Sequence, residues 1–320
     1  MSSQYRVVVA NRIEDFIAKN SRFIKHCYQL SNSPFWGKTE VLYDSAITFT
    51  RRTLKSSIIE RGKSPTSLRA FTFHSVSDKF IRSGVPFVKG DVSVSSSGNP
   101  FTSFTLEGCH YHTLVASDGF ARKMLSDKEW KTYLEINKDE RTVVVKNSHE
   151  CKPIIGVIDH ALNDLANGKL VETNASEIND IRQALLKKLV VMIKHAKLEK
   201  PRANASSRLL YKASEAIMNT RYKNITVEEL ADKTGTSRRN LELVFRSQIG
   251  LSPKQFILNV RLNRIRYELL TNSHANVNGV VKRHGIKHLG HFSKAYKNLF
   301  LELPSETRAR ASARQAELVN

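Results

Sequence analysis

The chain has 320 residues, 51 Lys and Arg against 30 Asp and Glu, a formal charge of +21 and 40% hydrophobic residues. That length points to two domains, and the apolar content excludes wholesale disorder. No apolar run approaches the ~20 residues of a membrane-spanning helix, the start MSSQYRVVVANRIEDF lacks a signal peptide's apolar core, and Cys27, Cys109 and Cys151 are scattered without metal-like spacing, as reduced thiols of a cytoplasmic protein.

Residues 1–150 read as β-rich. Period-two runs such as Glu40–Thr50, Leu68–His74 and Phe101–Leu106 are broken by turn clusters at Ser33-Pro34, Gly62–Pro65, Gly90-Asp91 and Ser95–Pro100. Arg12–Leu30 is the exception, with apolar positions suited to a short amphipathic helix. Arg51, Arg52, Arg61 and Arg69 are candidates to hold an anionic effector, because guanidinium forks fit carboxylates and phosphates; solvated strand faces are the competing reading. Gly108-Cys-His-Tyr-His112 has the His-x-His spacing of a metal site, with His74 as the one further candidate ligand. No Glu follows nearby, so neither a metal nor a cofactor is expected. No catalytic Ser/His/Asp signature or phosphate-binding glycine loop appears, and the chain is not read as an enzyme.

Residues 151–200 form a helical connector. Ile154, Ile158, Ala161, Leu162 and Leu165 recur at helical steps and end at Asn167-Gly168, a C-cap signal. Ile178, Ile181, Leu185, Leu189, Met192 and Ala196 form a second stripe, read either as core or as the seam of a homodimer. A polar linker is expected at 201–207, an all-α domain at 208–310 and a tail at 311–320. From Pro201 onward there are 21 basic and 9 acidic residues, against 30 and 21 in the first 200, so the C-terminal part is the more basic per residue. Clustered cations of this kind neutralise phosphates.

Two helix-turn-helix motifs are predicted, at about 227–248 and 277–300. In the first, Thr226 and Glu229 form a capping box, Ala231 lets a second helix cross closely, and Gly235 supplies the turn. Ser237 caps a helix with Leu241, Val244 and Phe245 inward and Arg238, Arg239, Asn240, Glu242 and Arg246 outward, a donor-rich face that a major groove accepts. The second copy runs from Asn276 through Gly285 to a helix at His288–Phe300. Between them, Pro253–Leu270 reads as one long amphipathic helix.

This ordered series resembles the AraC/XylS family of regulators over Arg208–Arg310. The matching features are Ala231, Gly235-Thr-Ser237-Arg238, Leu241 and Phe245, then Gly250-Leu-Ser-Pro253, Arg261-Leu262, Arg266 and Leu269-Leu270, then Phe292-Ser-Lys294, Tyr296-Lys297, Phe300, Pro304-Ser305 and Arg308. The resemblance implies base contacts at Arg239, Glu242 and Leu243 in the first motif and at Leu289, Gly290 and Lys294 in the second. It departs at Val281, where a small residue is usual, at Leu301, where Gly is usual, and at Leu303. Leu289 and Gly290 offer no hydrogen-bonding side chain, so the second motif is expected to grip phosphates through Lys287, His288, His291 and Lys297.

The same resemblance implies a cupin-like N-terminal barrel that senses a small molecule or mediates dimerisation. Tyr28–Gly37 is similar to the start of such domains, and RNA polymerase is the implied partner of an activator. The competing classes are a metal-dependent cupin oxygenase fused to a DNA-binding domain, and a nucleoid-type structural DNA binder.

Overall fold

The computed structural model describes residues 3–20, 24–43, 45–63, 66–75, 80–95, 98, 100–135, 143–145, 149–195, 198–199, 203–220, 225–272 and 276–319. Two compact units emerge. The first comprises Met1–Cys27, Trp36–Lys55 and Glu60–Arg202; the second comprises Tyr28–Phe35, Ser56–Ile59 and Ala203–Asn320. Of the expected linker, 201 and 202 lie outside the described residues, and 205–207 are a correction: they are already helix, started by the Asn204 cap.

The N-terminal part is β-rich, as expected. In chain order it runs β1 (Gln4–Ala10), α1 (Ile13–Asn20), β2 (Ile24–Gln29), β3 (Gly37–Tyr43), β4 (Ile47–Leu54), β5 (Ile58–Lys63), β6 (Leu68–His74), β7 (Phe80–Arg82), β8 (Val85–Phe87), β9 (Val92–Ser95), β10 (Pro100–Thr105) and β11 (Cys109–Ser117). Then follow α2 (Asp118–Met124), α3 (Asp127–Glu135), β12 (Val143–Val145), α4 (Cys151–Ala166), α5 (Ala175–His195) and β13 (Leu198–Glu199). The strands form two sheets, ordered β1-β3-β4-β11-β6-β9-β12-β13 and β2-β5-β10-β7-β8.

The single helix expected over Arg12–Leu30 is a correction: α1 stops at Asn20 and Ile24–Gln29 is a strand. Its second half alternates rather than repeating at helical steps. Cys27 and Gln29 are buried while His26 is exposed, the period of a strand.

Phe49, Phe71, Phe73, Leu114 and Tyr133 share one core with the connector helices. Ile154, Ile158, Ala161, Leu162 and Leu165 are the buried face of α4, which packs on α5. The chain leaves α4 through Gly168 at φ 69°, where Lys169 N–H reaches Asp164 O at 2.9 Å. The stripe on α5 resolves as core: Ile178, Leu185, Leu189 and Met192 are buried in this unit and Ile181 packs against them, while Ala196 lies outside the described residues. Its apolar face is therefore already covered by the chain itself and is not a free dimer seam.

The second unit holds α6 (Ala205–Asn219), α7 (Val227–Thr234), α8 (Arg238–Ile249), α9 (Pro253–Thr271), α10 (Val277–Arg283), α11 (Leu289–Phe300) and α12 (Pro304–Val319), which carries the expected tail as helix. The long helix α9 is present, but a simple amphipathic stripe does not describe it. Asn259, Asn263 and Arg266 are buried beside Phe256, Val260, Leu262, Ile265 and Leu269. The two amides, one turn apart, close on backbone from the Tyr28–Phe35 segment of the same unit. Asn263 Oδ1 accepts Gln29 N–H at 2.9 Å, Asn263 Nδ2 donates to Gln29 O at 2.9 Å, and Asn259 Nδ2 donates to Leu30 O at 2.8 Å. Gln29 Nε2 in turn reaches Leu299 O at 2.9 Å. Asn263 thus completes the donor and acceptor of one strand residue, the office a neighbouring strand would otherwise fill.

A core assignment for α5 carries a direct test. Leu185 and Leu189 are fully buried, and two carboxylates there would be left without partners. The double variant Leu185→Glu/Leu189→Glu is expected to lose ~4–5 kcal/mol or more and to melt or fail to fold by circular dichroism. A folded monomer in place of a wild-type dimer would show that the stripe is a seam after all.

Candidate nucleic-acid interface

The first motif is built from its caps inward. Thr226 Oγ1 accepts Glu229 N–H at 3.1 Å and Glu229 Oε2 accepts Thr226 N–H at 2.9 Å, so both exposed amides at the start of α7 are satisfied reciprocally. Gly235 ends α7 at φ 68°, ψ 41°, and Thr236 N–H closes back on Ala231 O at 3.0 Å. A Cβ on Gly235 would touch nothing within 4 Å, so backbone conformation rather than crowding calls for glycine. Ser237 Oγ then accepts Asn240 N–H at 3.2 Å and starts α8. Leu241, Val244, Phe245 and Ile249 are buried, and the Phe245 and Phe256 rings meet edge-on at 5.4 Å, fixing α8 against α9.

The outer face of α8 presents Arg238, Arg239, Asn240, Leu243 and Arg246 to solvent, with Glu242 half-buried. These side chains are not equivalent. Arg238 is tied to Glu228 at 2.7 Å, Arg246 lies 3.6 Å from Glu242, and Asn240 Nδ2 donates to Thr236 Oγ1 at 2.8 Å. Arg239 makes no hydrogen bond or ion pair among the described residues, which leaves its fork available. Leu243 is 65% exposed, an unusual position for Leu and one suited to a thymine methyl.

The second motif repeats the geometry with fewer caps. Asn276 Oδ1 accepts Asn278 N–H at 2.9 Å, Gly285 sits at φ 70°, and Ile286 N–H reaches Val281 O at 3.2 Å. Val281 is fully buried, so the residue that departs from the small-residue pattern serves as core. Phe292, Tyr296 and Leu299 point inward. Lys287, His288, Leu289, Gly290, His291, Lys294 and Lys297 are all exposed, and the His288 side chain makes no cap hydrogen bond. Leu301, where glycine is usual, adopts φ 59° at the end of α11.

Arg264, Arg266 and Glu268 tie α9 to its neighbours, and of the three only Arg266 stood out in the sequence. Arg264 donates to the carbonyls of Met218 at 2.7 Å and Thr220 at 2.5 Å, at the end of α6. Arg266 pairs with Glu302 at 2.7 Å beneath the Phe300 ring, and Glu302 also takes Arg310 at 2.6 Å. Tyr296 OH and Thr307 Oγ1 meet at 2.8 Å beside it. Glu268 receives Arg283 Nε at 3.2 Å and His284 Nε2 at 2.9 Å, binding α10 to α9. Burial works to raise the Glu268 carboxyl, but the bonds from Arg283 and His284 outweigh it and hold it below the usual range. Periodicity carries no signal for such pairs, because each partner alone reads as a surface charge.

In the β-rich unit, the four guanidiniums singled out from the sequence are largely engaged. Arg51 holds Glu40 through Nε and Nη2, both at 2.9 Å, and reaches Asp159 at 3.0 Å and Asn163 at 2.9 Å. Arg52 reaches Glu60 at 3.2 Å and Tyr111 OH at 2.9 Å; burial opposes its charge, but Tyr111 and Glu60 outweigh burial. Arg69 pairs with Asp118 at 2.7 Å over the Tyr133 ring, and Arg61 is half-exposed. His110 Nδ1 meets Thr53 Oγ1 at 2.9 Å and His112 Nε2 meets Asp159 at 2.9 Å, so the His-x-His pair is turned to protein partners. His74 stacks on Phe87 and bonds Ser93.

Residues 230–310 match a family model described as a helix-turn-helix domain. The XylDLEGF operon transcriptional activator of Pseudomonas putida is 38% identical over 88 residues, 27% of this chain and 27% of that protein. The Msm operon regulatory protein of Streptococcus mutans is 33% identical over 107 residues, 33% of this chain and 38% of that protein. A crystal structure of a probable AraC family transcriptional regulator from Rhodopseudomonas palustris is 33% identical, covers 32% of this chain and 96% of that chain, and has a TM-score of 0.31. The matches span well under half the length of these curated relatives.

The second motif gives a prediction in acid. Burial holds His284 below the usual imidazole range, with Glu268 opposing. The unfolded chain therefore takes up this proton first, and stability present above pH ~6.5 declines as pH falls toward the folded value. The melting midpoint is expected to drop between pH 7.5 and 5.5, and His284→Gln to make that drop shallower. An unchanged slope in the variant would remove His284 from the account.

Proposed function

We propose that this chain, whose C-terminal unit is a helix-turn-helix domain of the AraC type, is a sequence-specific DNA-binding transcription regulator. Its β-rich unit serves as the sensor of a small anionic effector. The observation that carries the reading is the pair of helix-turn-helix motifs fixed on one helix, the first with a donor-rich outer face and an unengaged Arg239. Two recognition helices on a rigid rod suit successive major-groove faces, which recur roughly every 34 Å.

Within this reading, Arg239, Glu242 and Leu243 meet base edges, with Arg238, Asn240 and Arg246 around them. Lys287, His288, Leu289, Gly290, His291, Lys294 and Lys297 set the second helix on the backbone, mostly through phosphates. Relatives named as transcriptional activators support activation as the output, and such an output requires RNA polymerase as partner and the cytoplasm as its place of work. Among the described residues no helix is long and apolar enough to cross a membrane. A regulator rather than an enzyme is also favoured by the engagement of His110 and His112 with Thr53 and Asp159.

The division of labour between the motifs is testable on the full chain, with an operator selected from random duplexes and a scrambled control. Arg239→Ala is expected to cost about 1–3 kcal/mol on the operator and to relax preference at one base pair. Lys297→Ala should weaken both duplexes alike and reduce the salt slope by about one unit. Equal losses on both duplexes for Arg239→Ala would assign it to phosphate. Failure of any sequence to emerge from selection would point instead to a structural binder without sequence preference.

A further inference from the structure

Two guanidiniums and one carboxylate meet beside an aromatic cluster of the first unit. Arg52 and Arg82 face Glu60 there, and Arg52 bonds Glu60 and Tyr111 through Nη1 and Thr39 through Nε. Arg82 is only 8% exposed, its guanidinium lies 4.2 Å from the centre of the Phe101 ring, and its Nε has no hydrogen-bond partner among the described residues. Burial pulls its pKa down to about 10 against Glu60 and Tyr111, which leaves it cationic at neutral pH.

The pairing of β7 with β10 sets what surrounds it. Ser103 stands directly opposite Arg82 and Thr105 opposite Phe80. Alternation along each strand then puts Phe80, Arg82, Phe101, Ser103 and Thr105 on one face, with paired Cβ atoms about 5 Å apart. Ser103 Oγ and Thr105 Oγ1 are both buried and, like Arg82 Nε, lack partners among the described residues. The Phe80 ring lies 5.6 Å from Tyr111 and 4.6 Å from His74.

Buried polar groups are almost always satisfied, and a buried N–H of a charged group left without an acceptor is a costly exception. Here three groups without partners among the described residues share one sheet face beside aromatic rings, and the charge on Arg82 is offset only through space by Glu60, whose hydrogen bond goes to Arg52. That charge matches a monoanion better than a phosphate dianion, and the rings favour an apolar body behind the anionic head.

We propose that Arg82, Ser103 and Thr105 form the seat for the carboxylate of a small organic acid, with Phe80 and Phe101 against its apolar part. The proposal deepens, and rests on, the reading of the β-rich unit as an effector sensor. It differs from the sequence-based candidates in its residues, since Arg51, Arg52 and Arg69 already hold protein carboxylates.

The test uses the full chain, calorimetry and thermal melting, with phenylacetate as probe and phenylacetamide and inorganic phosphate as controls. Phenylacetate is expected to bind and raise the melting midpoint, and the neutral amide is not. Arg82→Met should weaken phenylacetate by about tenfold or more, as loss of a charge-assisted contact does. The same variant should fold and melt close to wild type without ligand, because Met keeps the apolar contact with Phe101 and the Arg82 Nε has no hydrogen bond to lose among the described residues. If Arg82→Met fails to fold, Ser103→Ala/Thr105→Ala must weaken phenylacetate in its place.

Undiminished binding by the folded variants, no binding of phenylacetate to wild type, or an Arg82-dependent preference for phosphate would each overturn the proposal. Operator binding by the same preparations separates the two readings. Operator binding that persists without any carboxylate binding sinks the seat and leaves the regulator standing. Carboxylate binding without any selectable operator does the reverse.

Discussion

A helix that turns polar groups into its own core must find a partner for every one of them, and α9 is such a helix. Arg264 reaches back to the end of α6, whereas Arg266 and Glu268 reach forward to Glu302 and to Arg283 with His284. Asn259 and Asn263 close on Gln29 and Leu30. Removing one partner from the buried contacts, those of Asn259, Asn263 and Arg266, leaves a desolvated donor, acceptor or charge, at a cost of about 1–3 kcal/mol each. A plain apolar stripe would let a helix slide or rotate by a fraction of a turn at little cost. This set of directional bonds does not, so the angle between the two motifs is fixed by hydrogen-bond geometry as much as by packing.

On that rod, the outer faces of the two recognition helices are prepared differently. In α8, most polar side chains near the N-terminus are already oriented by a neighbour, Arg238 by Glu228 and Asn240 by Thr236. Orientation before contact lowers the entropy lost on binding, and it leaves Arg239 as the side chain that still has both its charge and its freedom to commit. In α11 the exposed set is Lys and His around Leu289 and Gly290. That set suits a diffuse field better than bidentate recognition. The chain's positive charge is thus of two kinds, oriented on one helix and spread on the other.

How much of this was legible in the sequence depended on the range of the interaction. The capping box of Thr226 and Glu229, the left-handed Gly235, and Ser237 as a cap are all local, and each appears in the structure as its spacing implied. The α4 stripe and its glycine exit were legible for the same reason. Illegible were contacts whose two halves are each bland alone. Glu268 and Glu302 stood out nowhere in the sequence, and Arg51 and Arg52 read as candidate forks for an anion, because a carboxylate brought near by the fold leaves no mark on the local pattern. The segment Arg12–Leu30 misled for a different reason. A short helix and a short strand in succession share enough apolar positions to mimic one longer helix, until burial separates their periods. Phe80-Ile-Arg82 had nothing to distinguish it from any edge strand carrying a cation.

The amide clasp of α9 on Gln29 also orders events in time. Its two halves are 234 residues apart, so a ribosome adding 5–20 residues per second makes the strand roughly 10–50 s before its partner. For that interval the backbone of Gln29 and Leu30 has no helix to meet, and the unit that carries the motifs is finished only when the last third of the chain arrives to claim a piece of the first tenth. Its folding is tied to long-range closure even though most of its contacts are helical and local, the combination that slows a fold otherwise built for speed.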